Sequence, residues 1–254
     1  GMAGVKIVNV HPRNPAIGLP TVMALTVILD IETGKPEAVI NATRLTDMRT
    51  GAAGAVAAKY LSPRRRVTMG VIGSGRQAET QVLATAEELS IDELLVWSRT
   101  ETHAREFARR FPQFNARSVS LQKACGADIL ATVTPATAPV VQSAWVADGT
   151  HINAIGADAP GKEELEPALL QRARVFVDDM AQAVHSGEVN VPIRMGVYAA
   201  QQIAGTLGEV ILGKTGRKSP EEITIFDSTG LAITDLAIAA LALAHAESVE
   251  LPFP

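Results

Sequence analysis

Short apolar runs between polar turns open the chain, and a different rhythm takes over near Val67. Val5-Lys6-Ile7-Val8-Asn9-Val10 reads as a strand, and His11 to Pro20 as a loop rich in Pro, Gly and Asn. An apolar stretch, Thr21 to Leu29, runs to turn chemistry at Glu32–Pro36, and Glu37 to Ile40 reads as the returning strand. Thr46 reads as the N-cap of a helix to about Tyr60, dense in Gly and Ala and so able to pack closely. Ser62-Pro63-Arg64-Arg65-Arg66 breaks the pattern and is the expected domain boundary. Beyond it, strands are expected at Val67–Ile72, Glu93–Trp97, Ile129–Val133, His151–Ile155, Val175–Val177 and Ile223–Phe226. Helices are expected at Gln77–Leu89, Glu101–Phe111, Glu163–Arg172 and roughly Gln201–Leu212. Such alternation predicts a parallel sheet covered on both faces. A last helix, about Leu231 to Ser248, is apolar at Leu231, Leu236, Ala240, Leu243 and Ala244, and is expected to return to the first domain.

Where the second rhythm begins, Gly73-Ser74-Gly75-Arg76-Gln77-Ala78 forms a G-x-G-x-x-A fingerprint between a strand and a helix. Gly73 permits the tight turn, Gly75 lets a pyrophosphate approach the backbone, and Ala78 lets helix and strand pack closely. The pyrophosphate then sits at a helix N-terminus, where N–H groups and the dipole favour an anion. The expected class is therefore α/β. A Rossmann-type doubly wound parallel sheet spans 62–229, a smaller α+β substrate and dimerisation domain spans 1–61, and 230–254 returns to the latter. An NAD-specific site usually carries Asp or Glu at the end of the second strand. Here Ser98, Arg99 and Thr100 stand there instead, offering donors and a positive charge that suit a 2′-phosphate. NAD(P)(H) is expected, with NADP(H) favoured.

Three further residues carry chemistry. Lys6 shares an apolar strand face with Val8 and Val10, so either an anion partners it or it reaches water from an edge. Arg49, in the first turn after Thr46, opposes the helix dipole unless it converges on a carboxylate or phosphate. Asp158 follows the strand at His151 and lies on the carboxyl edge of the sheet, where α/β ligands bind. A carboxylate there can move a proton at nitrogen or water; Asp before Pro160-Gly161 also suits a turn.

Composition narrows the classes. The 254 residues are 47% apolar and 20% charged, ordinary for a soluble enzyme. A net charge of −4 gives no electrostatic reason for a nucleic-acid partner. The single cysteine, Cys125, excludes a disulfide framework within the chain and fits a reducing cytoplasm. The apolar run from Leu231 to Ala246 is broken by Thr234 and Asp235 and falls short of the ~20 residues of a membrane span. No secretory signal opens the chain, so a cytoplasmic location without membrane partner is expected. His11, His103, His185 and His245 lack ligand spacing, and no metal is expected. Gly1-Met2-Ala3 leads at once into the strand at Val5, so either the gene product is short or the chain lacks an opening segment, with Gly1 readable as a tag remnant.

Six ordered blocks also resemble the ornithine cyclodeaminase/μ-crystallin family. They are Gly4-Val5-Lys6-Ile7-Val8, Gly18-Leu19-Pro20-Thr21-Val22, Met48-Arg49-Thr50-Gly51-Ala52-Ala53, Lys59-Tyr60-Leu61, His151 to Gly161, and Phe226-Asp227-Ser228-Thr229-Gly230-Leu231-Ala232. The resemblance implies an NAD(P)-dependent homodimer acting on a small amino or imino acid. In the cyclodeaminases hydride leaves the ornithine Cα, the side-chain amine attacks the imine, ammonia departs, and the hydride returns to give proline. Alanine dehydrogenases and ketimine reductases stop at the redox step, and μ-crystallin-type members can bind NADPH without catalysis. By motif position Lys6, Arg49 and Thr229 would meet the substrate, Arg49 also lying near the cofactor phosphates. Thr21 would lie by the nicotinamide, and Thr134, Ile155, Gly156 and Ser228 would line that half. Arg76 and Gln77 would donate backbone N–H groups to the pyrophosphate, Ser98 would read the ribose, and Asp158 would be the acid/base. Trp97-Ser98-Arg99-Thr100 is closer to the NADPH-using ketimine reductases, whereas μ-crystallin-type members lack the aspartate at 158.

Overall fold

The computed structural model describes residues 2–11, 13–245, 247 and 249. Gly1 and the expected helix end at Ser248 lie outside the described residues. The chain groups into two compact units, 1–49 with 231–254, and 50–230.

In the first unit β1 (Ala3–Val10), β2 (Val22–Leu29) and β3 (Pro36–Asn41) form an antiparallel sheet in that order. Helix α1 (Thr43–Leu61) starts in this unit and ends in the second. It begins before Thr46, whose hydroxyl donates to the Ala42 carbonyl at 2.8 Å from inside the first turn. Thr46 is therefore not the N-cap, and Arg49 falls in the second turn, where the dipole acts weakly. Helix α9 (Ala232–His245) packs on β1, where a Cβ on Gly4 would come 2.9 Å from Leu236 Cδ2. Val8 and Val10 are exposed, so the strand face that carries Lys6 is covered only towards its Gly4 end.

The second unit holds an eight-stranded, all-parallel sheet. Its order is β12 (Gly205–Thr206), β11 (Ala173–Val177), β13 (Ile223–Asp227), β9 (His151–Ala154), β7 (Ile129–Thr132), β4 (Arg66–Ile72), β5 (Ser90–Trp97) and β6 (Arg117–Ser118). Alternate residues feed two cores, as a sheet covered on both faces requires. Val67, Met69 and Val71 with Ile129 and Ala131 pack under α2 (Arg76–Glu88) and α3 (Glu101–Arg109). Ile72, Leu130, Ile152 and Val177 pack on the other face with Leu169 and Leu170 of α5 (Pro167–Arg172). The chain order turns outward in both directions from β4 and β7, the doubly wound arrangement.

Two expected helices are shorter than the pattern implies. Glu163–Leu165 is a strand, β10, paired in parallel with β8 (Thr137–Val141), and α5 starts only with Pro167 in its first turn. All three β10 residues are buried, so helix-forming glutamates are diverted into a tertiary role. Gln201–Leu212 breaks at Gly205, φ 139°, and α8 (Leu207–Ile211) starts after Thr206, whose side chain and that of Glu209 cap each other's backbone amides. The apolar periodicity also passes over α4 (Leu121–Cys125), α6 (Met180–Ser186) and α7 (Asn190–Arg194), each under eight residues.

The Gly-rich stretch of α1 does pack closely: a Cβ on Gly51 would stand 2.5 Å from the Thr80 carbonyl oxygen of α2. Gly51→Ala is expected to destabilise the protein by ~1–3 kcal/mol through overpacking, read as a lower denaturant midpoint. An unchanged midpoint would mean that the two helices separate freely.

Candidate functional site

Strand register sets one edge of the large sheet level. Trp97 pairs with Ile72, Ile72 with Thr132, Thr132 with Ala154, Ala154 with Asp227, and Asp227 with Val177. These are the last residues of β5, β4, β7, β9, β13 and β11, so the loops beyond them stand side by side along one carboxyl edge.

On β4 that loop is the glycine fingerprint. Gly73 adopts φ 122°, its N–H donates to the Trp97 carbonyl at 2.8 Å, and a Cβ would meet Val133 Cγ2 at 2.8 Å. Only glycine fits there. Gly75 is the N-cap of α2 and brings no capping side chain, and a Cβ on it would meet nothing within 4 Å. That open approach to a helix N-terminus fits the pyrophosphate of a nicotinamide dinucleotide. Arg76 and Gln77 form the first turn behind it.

At the end of β5 a cavity of about 410 Å³ is lined by Trp97, Ser98, Arg99, Glu101, Ser118, Val119 and Ser120. Ser98 and Ser74 share a hydroxyl hydrogen bond of 3.2 Å across the gap between the two loops. Thr100 caps α3 by position, without a side-chain hydrogen bond, and Glu101 is ion-paired to Arg105. A second cavity of about 390 Å³ touches Ser74 and Gly75 and extends along His103 and Arg110.

The loops after β7, β9 and β13 are held by acids that sequence reasoning missed, Glu164, Glu188 and Asp227 buried and Asp178 half-buried. Glu164 accepts the Thr134 N–H at 2.7 Å and the Gly156 N–H at 2.9 Å. Glu188 accepts the N–H groups of Glu164 and Leu165, at 2.9 and 2.6 Å. Asp227 accepts those of Glu188 and Val189, at 2.8 and 3.3 Å. Asp178 takes the N–H groups of Thr229 and Gly230, at 2.8 and 2.6 Å, and the hydroxyls of Thr229 and, at 3.4 Å, Ser228. Ile155 is buried, its N–H on the Thr132 carbonyl. Thr134, Ile155, Gly156, Ser228 and Thr229 thus share this edge. Burial pushes the Glu164 carboxyl above its ordinary value against the pull of its hydrogen bonds. Glu188 rises well above, through burial and then the Glu164 charge, and Asp227 is pushed up to about 7 by burial. The motif His185-Ser186-Gly187-Glu188 suggests no chemistry by itself; its glutamate is a structural link in this chain of carboxylates.

Asp158 comes after β9 on the same edge. Its side chain is exposed and ion-paired to Lys162.

In the first unit Lys6 Nζ and Arg49 Nε both reach Asp235 Oδ1, at 2.9 and 3.0 Å, all three side chains being nearly buried. The anionic partner expected of Lys6 is therefore Asp235, and Arg49 converges on the same carboxylate. Burial lowers the Lys6 pKa; the Asp235 hydrogen bond opposes this and the Arg49 charge adds to it. Asp235 is visible in the sequence as a break in an apolar run, yet nothing local ties it to Lys6. Thr21 lies at a bend before β2, its carbonyl accepting the His11 N–H at 2.7 Å. Among the described residues no group of His, Cys, Asp and Glu could hold a metal, and no helix is long and apolar enough to cross a membrane.

Residues 1–250 match the family described as ornithine cyclodeaminase/mu-crystallin. Alanine dehydrogenase of Archaeoglobus fulgidus is 48% identical over 252 residues, 98% of this chain and 78% of that protein. An archaeal alanine dehydrogenase dimer with bound NAD superposes with TM-score 0.92 at 48% identity, over 96% of this chain and 78% of that one. The Δ1-pyrroline-2-carboxylate reductase of Thermococcus litoralis, with NADH and L-proline, gives 0.91 at 36% identity, over 98% and 80%.

The raised Asp227 pKa makes stability pH-dependent. The fold favours the protonated acid, so between the unfolded value near 4 and the folded value of about 7 stability falls as pH rises. The melting temperature of the ligand-free protein should be higher at about pH 5.5 than at about pH 7.5, and Asp227→Asn should flatten that difference. A melting temperature that rises with pH in this window would refute the assignment.

Proposed function

The chain belongs to the ornithine cyclodeaminase/mu-crystallin family, and on that premise we propose that it is an enzyme interconverting a small amino acid and its imine with a nicotinamide dinucleotide. The level row of strand ends carries this reading, because the glycine turn, the amide-clamped loops and Asp158 all share its edge. When bound, the dinucleotide supplies the hydride acceptor or donor for the substrate Cα. The chain supplies orientation and charge. Gly73 and Gly75 admit the pyrophosphate to the α2 N-terminus with Arg76 and Gln77, and Thr134, Ile155, Gly156, Ser228 and Thr21 line the nicotinamide half. Lys6 and Arg49 hold the substrate carboxylate, each spending one N–H donor of several on Asp235. Thr229 meets the substrate from the β13 loop. Asp158, exposed to solvent, takes a proton from nitrogen or activates the water that releases ammonia.

Net oxidoreduction is favoured, as in an alanine dehydrogenase or a cyclic-imine reductase, since those are the activities by which the similar proteins are named. This moves weight from ornithine cyclodeamination, which stays the second reading because Asp158 offers the proton carrier that ammonia loss requires. A homodimer fits the outer face of the small sheet, where Val5, Ile7, Leu25 and Val39 are exposed together.

Incubation with ornithine, alanine, lysine, or pyruvate plus methylamine, with nucleotide absorbance and ammonia measured together, tests the reading. Nucleotide turnover with alanine or an imine is expected; ammonia without nucleotide change would favour cyclodeamination. Asp158→Asn should retain NADH affinity and lose turnover by roughly 10²–10⁴-fold. Intact NADH binding with no reaction across the panel would leave a non-catalytic binding protein.

The tip of β5 carries Ser98, Arg99 and Thr100 in place of a carboxylate, which favours NADP(H), while the similar structures hold NAD or NADH. Arg99→Ala should weaken NADPH about tenfold or more and leave NADH unchanged in fluorescence titrations. Tighter binding of NADH than of NADPH by the wild type would reverse the preference.

A further inference from the structure

We infer that Glu164 is a positioning residue for the nicotinamide end of the cofactor, one carboxylate fixing the spacing of the two loops on which that ring would lie. The inference rests on the proposed placement of the nicotinamide by Thr134 and Gly156. These residues come after adjacent strands, β7 and β9, whose pairing ends at Thr132 and Ala154. Glu164 replaces the ladder there. Its Oε1 takes the Thr134 N–H at 2.7 Å and its Oε2 the Gly156 N–H at 2.9 Å. The fit is close, since a Cβ on Gly156 would stand 2.5 Å from Oε2. The side chain is fully buried, and leaving such an acceptor unpaired is costly, so both amides are held in one geometry rather than sampled.

Glu164 is itself anchored. It belongs to β10, its N–H donates to Glu188, and the Glu188 N–H donates to Asp227 at the end of β13. None of these bonds touches β5, α2 or α3, where the adenosine and pyrophosphate would bind. Loosening the clamp should therefore misplace one half of the dinucleotide and spare the other. Small displacements at a hydride-transfer centre cost rate steeply.

The test titrates wild type and Glu164→Gln with NADH and with ADP-ribose, which carries the pyrophosphate but no nicotinamide. Glutamine keeps the volume but sets an NH2 group against one of the two N–H donors. NADH affinity should fall roughly tenfold or more, as for loss of a charge-assisted hydrogen bond, while ADP-ribose affinity stays within about twofold. In the active enzyme kcat should fall more than the KM for the amino acid rises. Equal weakening of both ligands, or of neither, overturns the proposal. Should Glu164→Gln fail to fold, Glu164→Asp keeps the charge with a shorter reach and is judged by the same ratio; failure of both to fold also overturns it, the role then being structural. Wild type that binds ADP-ribose but gains nothing from the nicotinamide would instead count against the placement of the ring.

Discussion

Parallel register brings the strand ends level, but a level edge is only a row of chain ends with unsatisfied amides. Carboxylates that accept those amides, or that anchor one which does, make the edge a surface of defined shape. Glu164 and Asp178 each take two N–H groups from the loops beyond β7, β9 and β13, Glu188 takes those of Glu164 and Leu165 within β10, and Asp227 takes those of Glu188 and Val189. A buried acid is costly by itself, and the cost is offset only if the donors stay in place. Burial raises Glu188 and Asp227 above their ordinary pKa values, and the backbone N–H groups they accept oppose that rise, so each acid depends on its donors staying in place. Preorganisation of this kind is what a site needs when the reacting ring belongs to a cofactor and the protein contributes geometry.

The small unit reaches a similar end with opposite charges. Lys6 and Arg49 repel one another, and Asp235 holds both on a single oxygen. Replacing either cation would leave a nearly buried acid with half its compensation. Asp235 thus fixes the direction of both cations, and in the proposed function a substrate carboxylate would meet donors oriented beforehand.

The parts of this arrangement that can be read from the sequence are those with local causes. The strand–turn–helix fingerprint is legible because Gly73 must adopt a positive φ and Gly75 must leave space, both properties of one residue type. The sheet is legible because its strands are buried on both faces and read as apolar runs. The Glu163-Glu164-Leu165 strand is not, since glutamate favours helix and the reason for a strand lies in an amide 30 residues away. Asp235 and Glu188 escape for the same reason: their partners are set by tertiary folding, and no spacing announces them. Asp158 shows the converse. Its place after the His151 strand puts it on the carboxyl edge from the sequence alone, and the structure adds its pairing with Lys162.

That division bears on how chemistry can vary on this scaffold. On the proposed reading the fingerprint and the clamps would shape the cofactor's seat rather than choose the amino acid. Substrate choice would then come from residues outside the clamps, and Asp158, Thr229, Lys6 and Arg49 are the ones proposed to meet the substrate. In that proposal two of them would read a carboxylate that every amino acid carries, and one would move a proton that both dehydrogenation and cyclodeamination need. On the proposed reading the outcome would turn on what attacks the imine: an amine within the substrate closes a ring and water gives the oxo acid, ammonia leaving in both, but only ring closure ends with the hydride returned to the product. On that reading one constellation of clamps and cations could serve either course.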